Sequence, residues 1–108
     1  MEFLPVFLNI RDRKCVIVGG GEVAVRKARL LSRAEAKLHI IAPQLNTEMQ
    51  SLCKAQAAVV TIGAFEPSQL AGAVLAIAAT DDIKTNIAVS VAAKEYNIPV
   101  NVVDEPKY

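Results

Sequence analysis

The chain has 108 residues, 53% of them apolar and 21% charged, which is enough for one compact domain and too little for two. Lysine and arginine number 12 against 11 aspartates and glutamates, a net charge of +1, so no global field draws it to nucleic acid or an acidic membrane. An anionic ligand must be held by local geometry. Charged or turn-forming residues interrupt every apolar stretch well before the ~20 residues that a membrane span needs. Met1 to Ile10 carries Glu2 and Pro5 and leads into Arg11-Asp12-Arg13-Lys14, the reverse of a signal peptide's charge order. Cys15 and Cys53 match no metal-ligand or redox spacing and lie in apolar runs, as reduced core thiols do. A soluble, cytoplasmic protein without a metal cage is expected.

Lys14-Cys15-Val16-Ile17-Val18 is a short β-rich run that stops at Gly19-Gly20-Gly21, after which Glu22 to Arg33 reads at helical period. Strand, tight turn and helix follow in that order. Ala24, Ala28 and Leu31 make an inward stripe, and Arg26, Arg29 and Arg33 share the other side. A second strand is predicted at Lys37 to Ala42, closed by Pro43, then a helix from Asn46 or Thr47 to Gln56 and a third strand at Ala58 to Ile62. Gly63 to Gly72 reads as a loop with one short helical turn. The apolar run Ala73 to Ala79 is a strand buried on both faces. Asp81 or Asp82 supplies the next N-cap, Ile83, Ile87 and Val91 repeat at i, i+4, i+8, and Asn97-Ile98-Pro99 ends that helix. The last strand runs Pro99 to Val103. Five apolar strands alternating with helices imply right-handed crossovers and a mostly parallel sheet of order 3-2-1-4-5.

Gly19-x-Gly21-x-x-Ala24 between a strand and a helix is a dinucleotide-binding fingerprint, and the fold class is a Rossmann-like doubly wound α/β sheet. Gly19 permits the tight turn, Gly21 lets backbone approach a pyrophosphate, and Ala24 lets helix and strand pack closely. First-turn N–H groups and the helix dipole then face the phosphates. The acid that normally meets the ribose about 20 positions on is missing from His39-Ile40-Ile41-Ala42-Pro43-Gln44. Neutral groups, with Pro43 and Gln44 best placed, must serve instead. No lysine or arginine sits there to meet a 2′-phosphate, so NAD is expected over NADP.

Ligands of such sheets sit at the carboxyl ends of the strands, beside the switch point between strands one and four. Strand four ends in Thr80-Asp81-Asp82, where Thr80 can hydrogen-bond a cofactor and the aspartates cap a helix. Asp104 follows the last apolar residue of strand five and can carry a proton to or from substrate. His39 alternates with apolar neighbours away from the strand ends and reads as structural. The arginine stripe reads as a solvated helix face, with a landing surface for a polyanionic substrate as the alternative.

Leu4-Pro5-Val6-Phe7, then Val16 to Ala24 with Arg26-Lys27, then Ala78-Ala79-Thr80-Asp81-Asp82 with Asn86, then Asn101-Val102-Val103-Asp104 with Pro106, resemble the N-terminal module of siroheme synthase. The likeness runs over essentially the whole chain. It implies NAD-dependent oxidation of precorrin-2 to sirohydrochlorin, coupled in the full enzyme to insertion of ferrous iron. It places the cofactor against Gly19, Gly21, Glu22, Val23, Pro43 and Gln44, with Thr80 nearby, and makes Asp104 the catalytic carboxylate for both steps. Residues 1–108 would then be a single NAD-binding domain, the N-terminal part of a longer, homodimeric enzyme. The rival is a non-catalytic NAD-sensing module, which generally keeps the acid after strand two and has no need of Asp104.

Overall fold

Residues 4–103, which the computed structural model describes, form β1 (Lys14–Val18), α1 (Glu22–Arg33), β2 (Lys37–Ala42), α2 (Thr47–Gln56) and β3 (Val59–Ile62). A 3-10 turn (Pro67–Leu70), β4 (Leu75–Ala78), α3 (Ile83–Glu95) and β5 (Val100–Val102) follow. The five strands make one sheet of order β3-β2-β1-β4-β5, and every pair is parallel. The expected order holds, with β3 beside β2. β4 is shorter than the apolar run 73–79, but the flanking amides still extend the ladder. Val74 N–H bonds the Lys14 carbonyl and Ala79 N–H the Val18 carbonyl, both at 2.9 Å.

Side chains alternate across a strand, and on β1 that alternation divides the core between two faces. Cys15 and Ile17 point to α1 and α2, where they meet Ala24, Ala28, Leu31, Met49 and Cys53. Val16 and Val18 point the other way, to Leu70, Val89, Ala92 and Ala93. β1 is therefore covered on both sides, which a parallel strand with helical crossovers requires. Its ladder to β2 and β4 positions the glycine turn at the middle of the sheet's carboxyl edge.

The expected α1 stripe of Ala24, Ala28 and Leu31 is buried, with Val25 beside it. Asn46 caps α2 by accepting from Met49 N–H at 2.8 Å, and Asn97 adopts a left-handed φ of 56° just beyond α3. The apolar repeat in α3 is a different matter. Ile83, Ile87 and Val91 are 66%, 57% and 52% exposed, while Asn86, Val89, Ala92 and Ala93 face the sheet. Small alanines let the helix approach β4 and β5 closely, and Asn86 is polar but paired, so tertiary fit outweighs the area of the isoleucines. Ile17 is wholly buried at the centre of the sheet. Ile17→Ala should lower unfolding free energy by about 2–5 kcal/mol, measured by urea denaturation; a smaller loss would mean that β1 is not the packing centre.

Candidate functional site

The three glycines after β1 are glycine for different reasons. Gly19 has φ of +143°, and a Cβ there would run into the Ala79 carbonyl oxygen and lie 3.3 Å from the Ala24 methyl. A Cβ on Gly20 would overlap the Gln44 carbonyl oxygen and sit 3.1 Å from the Ala42 methyl. Gly21 adopts φ −101°, ψ −163°, extended backbone open to any residue, and a Cβ there would meet nothing within 4 Å. Gly19 and Gly20 therefore answer to the protein's own packing. At Gly21 the protein needs no glycine, so what the missing side chain leaves free is room for something outside the chain.

Hydrogen bonds tie that turn to its neighbours. Gly19 N–H donates to the Ile41 carbonyl and Asn46 N–H to the Gly20 carbonyl, each at 2.8 Å. A cleft of about 770 Å³ opens between the β1–α1 turn, the β2–α2 loop and the β4–α3 turn, within the range of cofactor pockets. Gly19, Gly21, Glu22 and Val23 line it from the first of these, Pro43 and Gln44 from the second, and Thr80 from the third. Val103 lines it as well. Asp104, the next residue in the chain, lies outside the described residues.

The N-cap of α1 is Gly21, which offers no side-chain cap, and the first helical bond is Val25 N–H to the Gly21 carbonyl at 3.0 Å. The N–H groups of Glu22, Val23 and Ala24 have no acceptor within the helix, and the helix dipole adds positive potential where they point. Among the described residues the cleft's lining includes no lysine or arginine, and the first-turn amides of α1 are the donors there that suit an anion.

At the end of β4, Asn86 is a buried polar residue. Its Oδ1 accepts from Thr80 N–H at 3.2 Å and stands 2.7 Å from Thr80 Oγ1, and its Nδ2 donates to the Thr80 carbonyl at 3.0 Å. Thr80 Oγ1 also accepts from Asp82 N–H at 3.1 Å. Its single proton is thus committed within the turn, which leaves one lone pair for a donor from outside. Composition did not reveal these roles of Asn86 and Gly20. An asparagine three and seven residues ahead of Val89 and Ala93, on the face they share, is a usable signal, because it can be buried there only if paired.

Asp82 is the residue that caps α3. The Thr85 hydroxyl, 2.6 Å from Oδ2, is the main cause of a carboxyl held below its usual value, with Lys84 N–H assisting. His39 is half-buried on β2, and burial and then the Lys14 charge lower its pKa. Burial raises the pKa of both free thiols, Cys15 and Cys53. Arg29, in the arginine stripe, pairs with Glu48 at 2.9 Å. Among the described residues no group of three or more His, Cys, Asp or Glu is placed to hold a metal, and no helix is long and apolar enough to cross a membrane.

Two predictions follow from this geometry. Gly20→Ala should cost about 1–3 kcal/mol of stability because backbone must move, whereas Gly21→Val should keep the parent's circular dichroism and lose less stability than Gly20→Ala, the cost of a poorer N-cap, while removing dinucleotide binding. A Gly21→Val less stable than Gly20→Ala, or one that binds normally, would contradict the division of labour. The second concerns Asp82: a depressed folded pKa stabilises above the unfolded value and loses its effect as pH falls through the folded one. The melting-temperature gap between the parent and Asp82→Ala should therefore narrow on acidification.

Comparison with known proteins gives these features a context. The chain is 53% identical over 108 residues to a siroheme synthase of Nitrosomonas europaea, covering 98% of this chain and 22% of that protein. A siroheme synthase of Methylobacillus flagellatus is 51% identical, with 99% and 23% covered. The chain thus spans about a fifth of the length of the curated relatives it matches, and the expected resemblance to siroheme synthase runs along its whole length. Among solved structures, one described as SirC, precorrin-2 dehydrogenase, superposes with a TM-score of 0.80 at 22% identity, covering 98% of this chain and 53% of that one. GenD2 from gentamicin A biosynthesis, in complex with NAD, gives 0.54 at 13% identity over 93% and 37%. At such identities these two show the fold alone, the Rossmann-like sheet already described. Residues 6–108 match the family described as "Putative NAD(P)-binding", and the chain belongs to that family.

Proposed function

We propose that this chain is the NAD-binding domain, N-terminal in position, of a longer siroheme-forming enzyme that oxidises precorrin-2 to sirohydrochlorin. The observation that carries this reading is the open face of Gly21 beside the unpaired amides of α1, in a chain half identical to siroheme synthases. The amides of Glu22 and Val23 hold the pyrophosphate. Pro43 and Gln44 meet the adenosine ribose with neutral groups, and the absence of lysine and arginine from the cleft lining among the described residues favours NAD over NADP. Thr80 Oγ1 accepts from the cofactor's amide through its spare lone pair. When bound, NAD supplies the hydride acceptor.

Asp104 is the proposed catalytic residue. It follows Val103, which lines the cleft and whose N–H is fixed on the Ala78 carbonyl at 2.9 Å. Its carboxylate takes the proton released as the macrocycle gives up hydride, so that precorrin-2 loses a hydride and a proton overall. In the second step it takes pyrrole protons as ferrous iron, a substrate, enters sirohydrochlorin, which is a lyase (ferrochelatase) activity. The enzyme acts as a cytoplasmic homodimer on these two tetrapyrroles. The sensor alternative is not favoured, since the relatives that match are named for synthesis.

In an enzyme of the relatives' length, Asp104→Ala should lower sirohydrochlorin formation by about a hundredfold or more, the usual size of a lost acid–base group, with NAD affinity unchanged. Iron insertion should fall with it. Retention of both activities would remove Asp104 from the mechanism, and loss of dehydrogenation alone would separate the two steps.

A further inference from the structure

Asn86 lies six residues beyond Thr80, yet its carboxamide holds both backbone groups of that residue. Oδ1 accepts from Thr80 N–H at 3.2 Å and Nδ2 donates to the Thr80 carbonyl at 3.0 Å, as a neighbouring strand would do. The sheet has ended at this point. Ala79 is held by Val18 on β1, and Ala78 by Val103 beyond β5. Asn86 prolongs that support by one residue into the β4–α3 turn, where Thr80 and Asp81 line the cleft. Asn86 is only 9% exposed, stands at the wall of the cleft behind Thr80, and belongs to a helix that otherwise packs on the sheet through Val89, Ala92 and Ala93.

Fold stability alone does not call for this arrangement. An apolar residue at position 86 would bury as well, and Thr80 would then turn its amide and carbonyl to solvent in the cleft. What the carboxamide adds is a fixed height and orientation for the turn opposite Gly21. We propose that Asn86 is a positioning residue for the dinucleotide, acting through Thr80: it holds the turn so that the Thr80 hydroxyl and the Asp81 backbone meet the nicotinamide half of the cofactor. This rests on the NAD-binding reading given above.

The test compares Asn86→Ala with Val89→Ala, a truncation on the same buried helix face whose side chain can make no hydrogen bond to Thr80. NAD affinity is read by titration calorimetry well below each variant's melting temperature, and Thr80 amide protection by hydrogen exchange. Asn86→Ala should weaken NAD by more than fivefold and expose the Thr80 amide, while Val89→Ala lowers the melting temperature and leaves affinity within twofold. Should Asn86→Ala not fold, Asn86→Asp keeps the acceptor and removes the Nδ2 donor, and the same fivefold threshold applies. A change of fivefold or less, or an equal loss in Val89→Ala, would overturn the proposal and leave Asn86 a packing residue. No NAD binding by the parent would overturn the underlying function instead, and the proposal with it.

Discussion

Everything at the carboxyl edge of this sheet depends on how closely the turn after β1 approaches its two neighbours. Ala79 on one side and Gln44 on the other present carbonyl oxygens where a side chain at Gly19 or Gly20 would have to stand. With both positions empty, the Asn46 amide reaches the Gly20 carbonyl, and the loop that starts α2 closes onto the turn that starts α1. Any larger residue would push the two loops apart. The cleft and the placement of the first turn of α1 within it follow from this contact.

A second consequence is electrostatic. The chain is nearly neutral overall and, among the described residues, brings no lysine or arginine to the cleft lining, so in the proposed reading a pyrophosphate is met by amide groups and the dipole of α1. Such donors cost little reorganisation, because the sheet already fixes them. The absent acid after β2 fits the same pattern. There the Gln44 carbonyl stands against Gly20, and in the proposed reading recognition of the ribose falls to neutral groups rather than to a carboxylate.

The strands and their order could be read from the residues because two local signals agreed. The unbroken apolar run of β1 matches two covered faces, and the glycine run marks where the first crossover begins. The helix caps at Asn46 and Asp82 were local too, each visible as a short polar residue ahead of a periodic segment. The face of α3 was not local. Its apolar repeat at Ile83, Ile87 and Val91 identifies a helix, but which side packs is decided by the space over β4 and β5, where alanines fit and isoleucines do not. The tasks of Gly20 and Asn86 escaped for a similar reason: each is set by one backbone partner, Gln44 or Thr80, that only the folded chain brings near. The seven proposed cofactor residues could be named because the fingerprint and the strand ends are features of sequence order.

The central claim is that a dinucleotide lies with its pyrophosphate over the first turn of α1. Amide chemical shifts of the isotopically labelled chain, followed through an NAD titration, test it most directly. The largest changes should fall on Gly21, Glu22, Val23 and Ala24, with smaller ones at Gln44 and Thr80, while a second, shallow groove between α1 and α2, lined by Arg29, Ser32, Ser51 and Leu52, should stay unchanged. Shifts concentrated in that groove, or none anywhere at saturating NAD, would contradict the account.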